Sequence, residues 1–122
     1  MDKSLTAGLI MAGMMSAFMA LNAARAFASP ARFARYMGLP LEPSPHGFVH
    51  VYGVRTVFLA LLPAILLVLR DAHGLAIVAG TAVVMPLGDA WLTWRAGAGA
   101  ATVARHLVIA GFLLAAAKLL AG

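Results

Sequence analysis

Four apolar stretches, each about as long as a bilayer is thick, leave this chain little choice but a helical membrane bundle. They cover residues 5–24, 48–69, 75–94 and 103–120. A helix needs about 20 mostly apolar residues to cross the roughly 30 Å hydrocarbon layer. In lipid every backbone amide must find its partner within the protein, so only helices and closed barrels span. Long apolar runs without two-residue alternation argue against strands. Of the 122 residues, 63% are hydrophobic and 11% charged, where an ordinary soluble domain carries about 25% charged residues. A soluble domain this short has too much surface to hide that excess from water, and disordered chains are polar rather than apolar. The fold class expected is all-α: one membrane domain over residues 1–122, a four-helix transmembrane bundle.

The connections carry their own signals. Ser29-Pro30 reads as a cap and first helical residue, and Gly38 with Pro40 as a stop. Between them Arg32 and Arg35 alternate with Phe33, Tyr36 and Met37, the pattern of a short helix lying in the membrane interface between spans one and two. A loop from Leu39 to Pro43 follows, and Ser44-Pro45 reads as the cap of span two. Arg70-Asp71-Ala72-His73-Gly74 is tight enough to make spans two and three an antiparallel hairpin. Gly97 and Gly99 lie in a flexible third loop, with Thr102 as the expected cap of span four. Ala26-Phe27-Ala28 resembles a leader cleavage site, but the preceding apolar run is long for a leader and Arg25 sits just before the cut, so span one is expected to be retained.

Charge sets an expected orientation. Loops one and three hold Arg25, Arg32, Arg35, Arg95 and Arg105, while the termini and loop two hold Lys3, Arg70 and Lys118. The excess of basic residues marks the cytoplasmic side, which places both termini outside a cytoplasmic (inner) membrane crossed several times. The net charge of +5 suits anionic headgroups. The basic residues flank spans and form no nucleic-acid patch, so no nucleic acid is expected.

Small residues recur every four positions in span one, at Gly8, Ala12, Ser16, Ala20 and Ala24. Such a smooth stripe lets a second backbone approach closely, and contact rather than hydrophobicity drives association in lipid. Ala76, Gly80 and Gly88 in span three, and Gly111 and Ala115 in span four, have compatible spacing. The stripe serves either the chain's own bundle or a homodimer. Pro63 and Pro86 each remove a backbone bond and are expected to kink spans two and three.

The polar residues inside the spans gather at one level. A charged side chain at the centre of a span costs about 2.5 to 3.5 kcal/mol on insertion scales. Even so, Arg55 and Asp89 lie roughly 10 Å and 8 Å deep at about 1.5 Å per residue. Span two starts, and span three ends, on the same side, so the two are at matched depth and an Arg55–Asp89 ion pair is the natural expectation. Asn22 and Arg25 end span one on one face, and His50 and Tyr52 enter span two, with Tyr52 on the face of Arg55. Trp91, Thr93 and Trp94 end span three, and Arg105 and His106 open span four. The other half of the bundle is almost wholly apolar.

Such a layer is either a buried pin that fixes helix register or a polar pocket facing the cytoplasm and lipid. As a pocket it suits a non-redox acid–base enzyme of isomerase, cyclase or hydrolase type acting on a lipophilic small molecule. Asp89 is then the base, Arg55, Tyr52 and His50 the catalytic partners, and Asn22, Arg25, Trp91, Trp94, Arg105 and His106 the substrate-binding set. No spacing motif marks a metal or other cofactor, and none is expected; the absence of cysteine removes thiolate sites. The alternative is an accessory or scaffold subunit of a membrane complex with no catalytic site. Further readings are haem ligation by His50 and His106, or transport. The chain is similar to small multidrug transporters in size and span number only, since its first span carries no acid. The glycine-rich first-span signature of small fluoride channels is also absent.

The Tyr52-Gly53-Val54-Arg55 and Gly88-Asp89 stretches resemble an uncharacterised bacterial and fungal family of small four-helix integral membrane proteins, loosely similar to DoxX-type proteins. The resemblance covers most of the chain. It implies a four-helix fold, singles out Arg55 and Asp89, and implies no settled activity.

Overall fold

In the computed structural model, which describes residues 2–38 and 46–122, the chain forms six helices. They are α1 (Lys3–Ala28), α2 (Pro30–Met37), α3 (His46–Val68), α4 (Ala72–Ala82), α5 (Val84–Arg95) and α6 (Ala100–Ala121). No strand occurs among the described residues. Four stretches are long and apolar enough to cross a membrane: Lys3–Ala28, Phe48–Val68, Ala72–Arg95 and Ala100–Ala121. The surface of these spans is rich in large apolar side chains: Phe48 is 80% and Val68 83% exposed. Faces like these suit hydrocarbon and would be untenable in water.

Local chemistry accounts for most helix ends. The Asp2 carboxylate caps α1, accepting from the Ser4 backbone N–H and the Ser4 hydroxyl. Those hydrogen bonds favour its charged form and hold the carboxyl below the usual range. Ser29 and Pro30 open α2 as anticipated, although the Ser29 hydroxyl makes no cap bond. Gly38 closes α2 in a left-handed conformation (φ 83°), which a side chain would strain. Asp71 caps α4 by accepting from the Gly74 N–H at 2.8 Å, which makes the second connection as tight as expected. Thr102 does not cap span four: α6 begins two residues earlier, with Gly99 in the cap position. The expected loop from Leu39 to Pro43 and the cap at Ser44-Pro45 lie outside the described residues.

The two prolines act differently. Pro63 sits inside an unbroken α3. Near it, where a proline weakens the helical ladder, the Ser16 hydroxyl of α1 donates to the Ala60 carbonyl at 2.6 Å. Pro86 cannot donate to Ala82, and the third span breaks at Val83 into α4 and α5.

α1 packs on α3 and α6, and α6 packs on both α4 and α5. α3 meets α4 around the hairpin and has little contact with α5. The second and third spans thus start side by side and then diverge, α5 following α6. Part of the smooth stripe on α1 is used within the chain: Gly8 and Ala12 are buried, and a Cβ at Gly8 would sit 2.9 Å from Leu120 Cγ and 3.1 Å from the Leu120 backbone nitrogen. Ala20 and Ala24 remain exposed. On α6 the small residues at that spacing are not used within the chain. Gly111 and Ala115 face outward, and the buried face is His106, Ala110, Leu113, Ala116 and Leu120.

Candidate functional site

The divergence of α3 from α5 leaves a cavity of about 410 Å³. Ala12, Met15 and Met19 line it from α1, Leu59 and Pro63 from α3, Leu75, Ala79 and Ala82 from α4, and Ile109, Leu113 and Ala116 from α6. Polar groups enter its wall only toward the end where α1 finishes and α6 starts. They are Asn22, Tyr36, Tyr52, Arg55, Thr56, Asp89, Arg105 and His106. Ten residues separate Ala12 from Asn22 along α1, and ten separate His106 from Ala116 along α6, so the polar and apolar ends stand roughly 15 Å apart.

Sequence periodicity explains the gathering. On α3, Tyr52, Thr56, Leu59 and Pro63 follow helical spacing along one face, and on α1 Met15, Met19 and Asn22 do the same. The Thr56 hydroxyl donates to the Tyr52 carbonyl at 2.8 Å and leaves its methyl to the core. Gly53, one turn before Thr56, lies against Phe27: a Cβ there would come within 2.9 Å of the Phe27 ring.

The expected Arg55–Asp89 ion pair is not formed. Among the described residues the one acid–base pair within 4 Å joins Asp89 to His106, with Oδ2 and Nδ1 4.0 Å apart. The expectation took spans two and three to be neighbours along their whole length, whereas α5 leans on α6 and so brings Asp89 to a residue of α6. The His106 side chain is 7% exposed and that of Asp89 34%. His106 Nε2 lies 3.4 Å from the Met37 carbonyl. A carbonyl only accepts, so this contact puts the proton on Nε2 and turns Nδ1 to Asp89. Arg55 lines the cavity from the other side and makes no hydrogen bond or ion pair with a described residue.

α2 closes the polar end. Arg105 donates to the Tyr36 carbonyl at 2.9 Å and to the Thr102 hydroxyl at 3.1 Å, and its guanidinium lies 4.3 Å from the Tyr36 ring centre. Tyr36 and Met37, members of the short interfacial helix, were not foreseen as site residues. Their apolar character was legible, but the fold-back that sets them over α6 was not.

The other anticipated site residues lie away from the cavity wall. The His50 ring stacks on Phe27 with centroids 5.5 Å apart. Trp91 and Trp94 are 55% and 60% exposed and pack on each other at 5.3 Å, with the Arg95 guanidinium 5.9 Å from the Trp91 ring centre. All three sit on helix faces turned from the bundle centre. Arg25 lies 5.9 Å from the Tyr36 ring centre and lines a separate groove with Ser29, Arg32 and Phe33. No group of three or more histidine, aspartate or glutamate side chains placed to hold a metal ion occurs among the described residues.

No curated protein and no solved structure matches the chain. A family model does match, over residues 6–120, and no link to DoxX-type proteins comes with it. The match takes in every cavity-lining residue named above, and the chain belongs to the family described as a domain of unknown function, DUF4267.

Proposed function

We propose that this membrane protein holds an amphiphilic small molecule, with its head among Asn22, Tyr52, Arg55, Asp89 and His106 and its tail along the apolar wall. The observation that carries this reading is the division of one cavity into a polar end and an apolar end roughly 15 Å apart. A register pin would need only a pair of residues. Here α1, α2, α3, α5 and α6 all bring polar groups to one wall. The excess of arginines at that end of the bundle puts the head group on the cytoplasmic side.

The chemistry such a site supports is non-redox acid–base transfer. His106, oriented by the Met37 carbonyl, shares a proton with Asp89 or with the head group. Arg55 supplies a positive charge for an oxyanion formed there, and Tyr52 a hydroxyl. Isomerisation, ring closure or hydrolysis of a lipophilic molecule falls within this set.

Native mass spectrometry of the protein released from its own membrane tests the holding role. The expected spectrum shows one amphiphile retained per chain under conditions that strip bulk lipid. A spectrum of the bare chain, or a statistical ladder of membrane lipids, would contradict the reading.

A further inference from the structure

We infer that the head group held in this cavity carries a hydrogen-bond donor, a hydroxyl or an N–H, received by the side-chain oxygen of Asn22. The inference rests on the amphiphile-holding reading and narrows its ligand class. Asn22 lies six residues before the end of α1, roughly 9 Å in from that helix end. It is 4% exposed and forms part of the cavity wall. Its Oδ1 is enclosed and receives no hydrogen bond from any described group. Buried polar atoms are nearly always paired, so each unpaired one calls for an explanation.

Three neighbouring side-chain donors are directed elsewhere. The Thr56 hydroxyl serves the Tyr52 carbonyl, Arg105 serves Tyr36 and Thr102, and His106 Nε2 faces Met37. The polar wall is therefore rich in donors, and Asn22 Oδ1 and the Asp89 carboxylate are its side-chain acceptors without a committed donor. The carboxamide torsion is broad and two-fold, so a half-turn exchanges the oxygen and the nitrogen and brings the oxygen to the cavity. Amide oxygen and nitrogen are placed by their hydrogen-bond networks. A hydroxyl satisfies either orientation, since it both donates and accepts. A leucine of similar size would serve packing alone better at this depth, so the polar side chain points to a polar ligand atom.

Two probes of equal length separate this inference from the reading beneath it: n-dodecanol, and its isomer methyl undecyl ether, which lacks the donor. Each is titrated into the full-length protein in detergent and binding is read as a thermal shift. The wild type is expected to bind the alcohol about tenfold more tightly than the ether, the worth of one good hydrogen bond. Asn22→Leu is expected to bind both alike and, without ligand, to melt no lower than the wild type. Equal binding of both probes by the wild type would overturn the donor inference and leave the amphiphile reading standing. Binding of neither would overturn both. The comparison within the wild type decides the matter even if the variant fails to fold.

Discussion

Asp89→Asn leaves the bundle folded and stops the chemistry. The substitution keeps the shape of the side chain and removes its capacity to hold or take a proton. A positioned acid or base contributes about 10²- to 10⁴-fold to a rate, and a loss of that order is the expected result. It is read by mass spectrometry of lipid extracts from membranes carrying each form: the product species that the wild type accumulates falls to background in the variant. The melting temperature in detergent is expected to move by only a few degrees. The Asp89 side chain is 34% exposed and its nearest basic partner is 4.0 Å away, so little binding energy is lost with the charge. His106→Gln should cost nearly as much activity, and the double variant little more, because groups that act as one unit are not additive. Identical lipid profiles for wild type and Asp89→Asn would remove the acid–base role and leave a holding role only. A collapse of the melting temperature would make Asp89 a structural pin.

Filling the apolar end produces the second large effect. Ala82 lines the cavity beside the break in the third span and is half-buried. A phenylalanine there occupies the space assigned to the tail. Ala82→Phe is expected to weaken retention of the amphiphile at least tenfold, corresponding to about 1.4 kcal/mol of lost tail contact. Filling existing space creates no void, so stability should hold or rise. Native mass spectrometry of the two forms, prepared side by side, reads the difference. Unchanged occupancy would mean that the retained molecule lies outside the cavity.

The two variants probe opposite ends of one space, and the sequence disclosed those ends unequally. The spans were legible because about 20 apolar residues in lipid have one stable conformation. Their ends were legible where Asp, Ser-Pro or Gly carry the geometry, as at Asp71, Ser29-Pro30 and Gly38. The level of the polar layer was legible too, since depth follows from helical rise: Asn22, Tyr52, Arg55, Asp89, Arg105 and His106 all reach the cavity.

Which of these residues meet depends on rotation about each helix axis and on which helices neighbour one another, and neither follows from depth. Beyond the hairpin the third span follows α6 rather than α3, and Asp89 comes to lie near His106 rather than Arg55. His50, Trp91 and Trp94 have suitable depth but sit on outward faces. Helix patterning gave little help, because a span in lipid has no strong hydrophobic contrast between its faces. The role of Tyr36 and Met37 depends on how α2 folds back, a tertiary contact with no local signature.

Every outcome above requires an amphiphile lying along the cavity with its tail at the apolar end. A fatty alcohol bearing a photoreactive diazirine at the tail tip, irradiated in the membrane and followed by peptide mapping, measures this directly. Labelling is predicted on Leu75, Ala79, Leu113 or Ala116, the inner wall far from Asp89. Labelling confined to outward residues such as Phe58 and Val108, which are 60% and 70% exposed, would contradict it.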